Sequence, residues 1–214
     1  MTSLSKLIEA ADIAATITGD AAVEISAITS DSRQVSEGAL FIAMPGVVAD
    51  GTRYIPEALR RGASAILMAT TAKTDVLATV PMVRVDDMRT AASKVAAAFY
   101  LKQPAMSFAI TGTDGKTSSA DFTRQFATLL GHNAASIGTL GLRSANKELN
   151  AEFPAVNTSP EPILLHRMLD SFANVGGDVV AIEASSHGLD QKRLDAVNFT
   201  AGAFTNFGRD HLDY

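Results

Sequence analysis

Ala109-Ile110-Thr111-Gly112-Thr113-Asp114-Gly115-Lys116-Thr117-Ser118 joins two different patterns. Before it runs a short apolar segment, Met106 to Ile110, that reads as a buried strand. After it comes a helical pattern opening near Ser118, with Phe122, Phe126, Leu129 and Leu130 on one face. Strand, glycine loop and helix is the context a phosphate-binding loop requires. Gly112 and Gly115 allow a tight turn and bring backbone N–H groups close to an anion. The helix N-terminus adds about half a positive charge aimed at the same place. Lys116 would reach the outer phosphates, and the Thr117 hydroxyl would face a magnesium ion. The spacing departs from the usual P-loop, because Ile110 stands where that pattern has its first glycine. The plainer alternative is a glycine turn ahead of an ordinary helix. The Gly-Lys-Thr triplet at the strand-to-helix switch favours the phosphate loop.

Working outward, a chain of 214 residues holds one large domain or two small ones. With 47% hydrophobic and 19% charged residues, a soluble chain with a substantial core is expected. A net charge of −5 argues against a general nucleic-acid binder, so an anionic substrate must be met by local cations and backbone donors. The chain has no cysteine, which excludes disulfides, thiol nucleophiles and cysteine metal sites. No run approaches the roughly 20 apolar residues of a membrane span, no export signal is evident, and the cytoplasm is the default location.

Lys102-Gln103-Pro104 is the best boundary, with a first α/β domain over 1–102 and a second over 103–214. In the first, helices are expected over Ser5–Ala14, Ile55–Gly62 and Arg89–Tyr100, and strands around Val23–Ile28, Ala39–Ala43, Ala65–Met68 and Pro81–Val85. In the second, Ala134–Ile137, Val179–Ile182 and Ala201–Thr205 read as strands, and Ser159 with Pro160 as a helix cap and first position. Alternating strands and helices imply a mostly parallel sheet, with ligands beyond the carboxyl ends of its strands. Those ends deliver Thr111–Ser118, Glu183–His187 and Asn206–His211 to one edge.

Glu183 there suits a magnesium ion shared with nucleotide phosphates; the plainer reading is a strand-end glutamate in solvent. His211 could join the metal shell or orient a phosphate, or the segment could be a helix cap through Asp210. Ser185, Ser186 and His187 do not make a hydrolase triad: no nucleophile-elbow pattern surrounds them, and neighbours on a strand point apart. Such hydroxyls hold a polar ligand or cap a helix. Arg193, next to Gln191, could pair with a carboxylate or phosphate, or be a surface charge.

Taken together, Thr29–Arg33, Asp50–Pro56, Thr111–Ser118, Glu183–Arg193 and Phe204–Tyr214 resemble the motifs of the Mur ligases of peptidoglycan synthesis, in the same order. The strings Glu-Ala-Ser-Ser-His-Gly-Leu and Arg-Asp-His-Leu-Asp-Tyr resemble the branch that adds the third residue to UDP-N-acetylmuramoyl-L-alanyl-D-glutamate. The resemblance implies an amino-terminal UDP-sugar-binding domain and an incomplete P-loop-type central domain. It implies that Gly112, Thr113, Asp114, Gly115, Lys116, Thr117 and Ser118 bind ATP, and that Thr117, Glu183 and His211 hold Mg2+, with Lys116, Glu183 and His211 as the catalytic set. It also implies that Ser30 and Ser32 meet the uridine end of the substrate, with Val47, Val48 and Ala49 beside it. Asn157, Thr158, Ser159, Ser185, Gln191 and Arg193 would grip its sugar and peptide portion. The implied reaction phosphorylates the terminal carboxylate of the UDP-N-acetylmuramoyl-dipeptide, after which an amino acid's amine displaces phosphate.

Three departures accompany the resemblance. Asp114 stands where the family's loop carries asparagine, Val47-Val48 where relatives often carry a polar pair, and the chain stops at Tyr214, ahead of the family's carbamylated lysine and third domain. The expectation is an amino-terminal fragment inactive in ligation alone. Competing readings are a folate-polyglutamate or other Mur ligase, and a non-catalytic nucleotide- or UDP-sugar-binding module. Asp31-Ser32-Arg33 and Asp50-Gly51 favour a UDP-sugar over a folate.

Overall fold

The computed structural model describes residues 1–46, 50–73, 79–155 and 157–209. Val47, Val48, Ala49, Asp210 and His211 lie outside the described residues. The chain divides into two compact units, Met1–Phe99 and Tyr100–Tyr214. The division falls just before the boundary expected at Lys102 because the following segment is tied to the second unit. The Lys102 N–H donates to Asp170 Oδ1 at 3.0 Å and the Gln103 amide to the Ala196 carbonyl at 3.0 Å.

The first unit holds β1 (Thr2–Ser3), α1 (Leu4–Ala10), β2 (Thr16–Thr18), β3 (Glu24–Ile25), β4 (Ala27–Thr29), β5 (Ala39–Ile42), α2 (Ile55–Arg60), β6 (Ala63–Ala69), β7 (Met82–Val85) and α3 (Met88–Phe99). Its sheet runs β2-β7-β6-β5-β4, with β4 to β7 parallel and β2 antiparallel at the edge. All four residues of β5 are buried, as expected of a parallel strand covered on both faces. The expected helix over Ser5–Ala14 is shorter: α1 ends at Ala10, and Asp12 takes a left-handed φ of 46° that no helix continues.

The second unit holds β8 (Met106–Thr111), α4 (Lys116–Leu129), β9 (Ala134–Gly138), β10 (Gly141–Arg143), α5 (Lys147–Glu152), α6 (Pro162–Asn174), β11 (Val179–Glu183), α7 (Ser186–Asp190) and β12 (Ala201–Phe204). Its sheet order is β10-β9-β11-β8-β12; the last four are mutually parallel and β10 is antiparallel. This is the mostly parallel α/β arrangement the alternating pattern implies. Val180 and Ile182 join α5 and α6 in one core cluster, while the alternate residue Ala181 joins Ile110 and Ala120 of α4 in another. Side chains alternate across a strand, so α4 and α6 cover opposite faces.

One sequence expectation fails here for a physical reason. The cap of α6 is Glu161 with Pro162 in its first turn, not Ser159 with Pro160. The Ser159 hydroxyl is used elsewhere, donating to the Glu183 carbonyl at 2.8 Å. The apolar stripe of α4, Phe122, Phe126, Leu129 and Leu130, is exposed instead of packed on the sheet, and Ala120 is the helix's buried residue. At about 100° per residue that stripe lies opposite Thr117 and Ala120. Thr117 is bonded to Glu183 of β11, and this sets the helix's rotation.

Candidate functional site

The strand β8 feeds the loop Gly112–Gly115, and α4 starts at Lys116, slightly ahead of the expected Ser118. Gly112 and Gly115 have φ of 134° and 79°, the left-handed region that other residues rarely enter. Lys116 folds back over the loop, its Nζ donating to the Gly112 and Thr113 carbonyls at 2.6 and 2.9 Å. Asp114, Gly115 and Ser118 are exposed, and Thr113 is half-buried. A cavity of about 280 Å³ opens beside the loop, lined by Gly112, Thr113, Lys116, Thr158, Ser185 and Asn206 among others.

Glu183 is 2% exposed, which overturns the solvent reading of this strand-end acid. Thr117 Oγ1 donates to its Oε2 at 2.8 Å, the Thr139 N–H to Oε1 at 2.9 Å, and Thr139 Oγ1 to Oε2 at 3.1 Å. A Cβ on Gly138 would sit 2.0 Å from Glu183 Oε1, so the glycine at the end of β9 is the space the carboxylate occupies. Gly138 and Thr139 escaped sequence reasoning as site residues. Their signal was a fourth strand ending in Gly-Thr at the same parallel edge. Donor chemistry here is all oxygen, hydroxyl and carboxylate, which fits a magnesium ion. Of the expected metal set, Thr117 and Glu183 are together; His211 is outside the described residues.

Around this carboxylate the other expected residues form a scaffold. Ser185 caps α7, its hydroxyl accepting from the Gly188 N–H at 3.1 Å. It therefore stands at a helix start and not on a strand, and a cap is one of the roles its type predicted. Ser159 Oγ lies 3.0 Å from Ser185 Oγ and accepts from the Ser185 N–H at 2.9 Å. Arg193 donates to the Ser159 carbonyl at 2.8 Å and to Gln191 Oε1 at 2.7 Å, and pairs with Glu161 at 2.8 Å. Thr158 Oγ1 sits 3.1 Å from Thr139 Oγ1, and Asn157 is exposed.

In the first unit a cavity of about 550 Å³ is lined by Ser30, Asp31, Ser32, Arg33, Tyr54 and Glu57. Asp31 caps a 3-10 turn over Ser32–Gln34 and pairs with Arg33 at 2.8 Å. Hydrogen bonds from Arg33 hold the Asp31 carboxyl below its ordinary range. Ser30 is exposed and Ser32 buried.

The sequence matches the family model of the Mur ligase middle domain over residues 110–214 and that of the Mur ligase family catalytic domain over 24–100. The UDP-N-acetylmuramoyl-L-alanyl-D-glutamate–2,6-diaminopimelate ligase of Rhizobium meliloti (strain 1021) is 48% identical over 204 residues, covering 95% of this chain and 41% of the relative. Its namesake from Brucella melitensis biotype 1 is 51% identical over 193 residues, covering 90% and 38%. The chain thus spans about two fifths of the length of these curated relatives. Among solved structures, a ligase of the same name superposes with a TM-score of 0.80 at 24% identity, covering 99% of this chain and 42% of the other. MurF ligase from Thermotoga maritima in complex with ADP gives a TM-score of 0.57 at 22% identity, covering 89% and 39%. Family models over both units, close relatives along nearly the whole sequence and a shared fold agree: the chain belongs to the Mur ligase family.

Proposed function

We propose that this chain carries the ATP- and UDP-sugar-binding parts of an ATP-dependent ligase. That ligase adds the third amino acid to UDP-N-acetylmuramoyl-L-alanyl-D-glutamate in the cytoplasm. The observation that carries the reading is the bond from Thr117, on the phosphate-loop helix, to the buried carboxylate of Glu183 at the end of the adjacent strand. The names of the closely similar relatives support 2,6-diaminopimelate as the incoming amine.

The loop Gly112–Ser118 binds the triphosphate through backbone donors and the N-terminus of α4. On binding, Lys116 leaves the Gly112 and Thr113 carbonyls and turns its ammonium to the outer phosphates. Thr117 and Glu183 hold Mg2+, with His211 as a further ligand, and the ion supplies charge neutralisation at the transferred phosphoryl group. Thr139 and Gly138 keep the Glu183 carboxylate aimed at that place. The substrate carboxylate takes the γ-phosphoryl group, ADP departs, and the amine nitrogen then displaces phosphate to form the amide. Ser30 and Ser32, with Val47–Ala49, bind the uridine end in the first unit. Thr158, Asn157 and the Ser159–Ser185–Arg193–Gln191 scaffold shape the site for the sugar–peptide end.

For these 214 residues the proposal comprises the two binding steps. Calorimetry with ATP–magnesium and with UDP-N-acetylmuramoyl-dipeptide checks it. Separate saturable binding of both is expected; binding of neither by the folded chain overturns it.

A further inference from the structure

We infer that Asn206, seconded by Thr205, is a positioning residue that holds the phosphate loop in its binding shape. The inference rests on the ATP reading above and deepens it. The Asn206 side-chain amide engages both backbone groups of one loop residue. The Asp114 N–H donates to Asn206 Oδ1 at 3.1 Å, and Asn206 Nδ2 donates to the Asp114 carbonyl at 3.1 Å. The side chain thereby takes the part of a neighbouring strand's peptide, at a place where the chain has left the sheet.

Thr205 adds to this from the end of β12. Its N–H donates to the Thr111 carbonyl at 2.9 Å, and its hydroxyl is shared between the Thr111 and Asp114 carbonyls. A Cβ on Gly112 would lie 2.1 Å from Thr205 Oγ1, so the glycine also makes room for the clamp. The Gly208 N–H closes the set by donating to Thr113 Oγ1 at 2.9 Å. Thr111, Thr113 and Asp114 are thus all gripped from the segment after β12. The loop has Ile110 where the usual P-loop has its first glycine. Side-chain bonds from the adjacent strand end fix its shape, so its N–H groups need no reorganisation when an anion arrives.

The clamp also explains why the Asp114 substitution is compatible with the loop. Both backbone groups of Asp114 face Asn206, and the residue itself is exposed. What the clamp reads is the backbone at 114, not its side chain.

Backbone hydrogen exchange, read by NMR on the 214-residue chain, tests the clamp without nucleotide. Titration with a fluorescent ATP analogue and magnesium tests its consequence. In Asn206→Ala the Asp114 amide should exchange about tenfold faster and ATP affinity fall about tenfold, with the unfolding midpoint nearly unchanged. Asn206→Asp keeps the acceptor for the Asp114 N–H but sets a carboxylate against the Asp114 carbonyl and beside the cavity, so its exchange at Asp114 should fall between while its ATP affinity falls at least as far as that of Asn206→Ala. Thr205→Ser should restore what Thr205→Val loses. Wild-type exchange at Asp114 in Asn206→Ala, or faster exchange with unchanged ATP affinity, overturns the inference. If the wild-type chain binds no ATP, the ATP reading falls, and the exchange comparison alone decides the clamp. Should Asn206→Ala unfold, Asn206→Asp carries the exchange comparison and Thr205→Val carries both.

Discussion

Helices α4 and α6 lie on opposite faces of one sheet, have 14 and 13 residues, and both show an apolar stripe in the sequence. Their stripes meet opposite fates. In α6, Leu165, Met168, Leu169 and Phe172 are fully or almost fully buried against β9, β11 and α5. In α4, Phe126 is 64% and Leu130 80% exposed, and Ala120 alone of the helix is buried. The rotation of α6 follows its hydrophobic side. The rotation of α4 follows its first turn, where Thr117 is bonded to Glu183 and Lys116 to the loop. One helix contributes stability through burial; the other is oriented by a polar site at its N-terminus.

The largest effect that would break this contrast is in the α6 core. Phe172 is fully buried, and a Cβ on Gly177 would come within 2.4 Å of its ring, so the space around it is tightly filled. Phe172→Ala should cost about 3–5 kcal/mol in denaturant unfolding, because the cavity has little means to collapse. If it costs under about 1 kcal/mol, α6 is not the anchoring helix.

Next in size is a pH effect confined to α6. His166 is fully buried and neither ring nitrogen has a hydrogen-bond partner among the described residues. Burial lowers its pKa from 6.5 to about 4. Between those values the unfolded chain binds the proton and the folded chain does not. Stability from this group is therefore fully present above pH 6.5 and lost as the pH falls toward about 4, by on the order of 3 kcal/mol. His166→Leu should flatten that part of the stability profile, measured by urea unfolding from pH 7 to 4. An unchanged slope would mean that His166 does not stay neutral in the folded chain over this range, since Asp31 and Asp121, whose pKa values hydrogen bonds from Arg33 and Arg124 lower from 3.8, lose their contribution only at more acid pH.

The helix α4 should show the reverse profile. Lys116→Ala removes two hydrogen bonds to loop carbonyls and the cation proposed for the phosphates. ATP–magnesium affinity should fall by about 2 kcal/mol, roughly thirtyfold, with an unfolding midpoint close to wild type. Equal affinity in the variant would remove Lys116 from the site.

The contrast also marks where sequence reading reaches and where it stops. The stripe of α4 was visible, and so were the strand–loop–helix order, the parallel sheet and the three strand ends that share an edge. Periodicity tells which residues share a helix face but not which face meets the sheet. For α4 that depended on a bond between residues 66 positions apart, Thr117 and Glu183. The same limit hid the roles of Gly138, Thr139, Thr205 and Asn206, whose partners are all remote in sequence. Ser159 was misread as a helix cap for a related reason: its hydroxyl serves β11 and Ser185, and Pro162 opens the helix instead.

The smallest expected effect sharpens the comparison most. Phe126 and Leu130 sit on the uncovered side of α4, so truncating them removes little apolar area that folding had withdrawn from water. Serine also has a helix propensity near that of phenylalanine, which leaves little backbone penalty at position 126. Phe126→Ser should therefore change stability by no more than about 0.5 kcal/mol, against several for Phe172→Ala on the other face. Urea unfolding of both variants at one pH, with the m-value held in common, makes the measurement. A loss of 2 kcal/mol or more at Phe126 would mean that the α4 stripe is covered in solution, and the rotation assigned to Thr117 and Glu183 would then have to be re-derived from that covering contact.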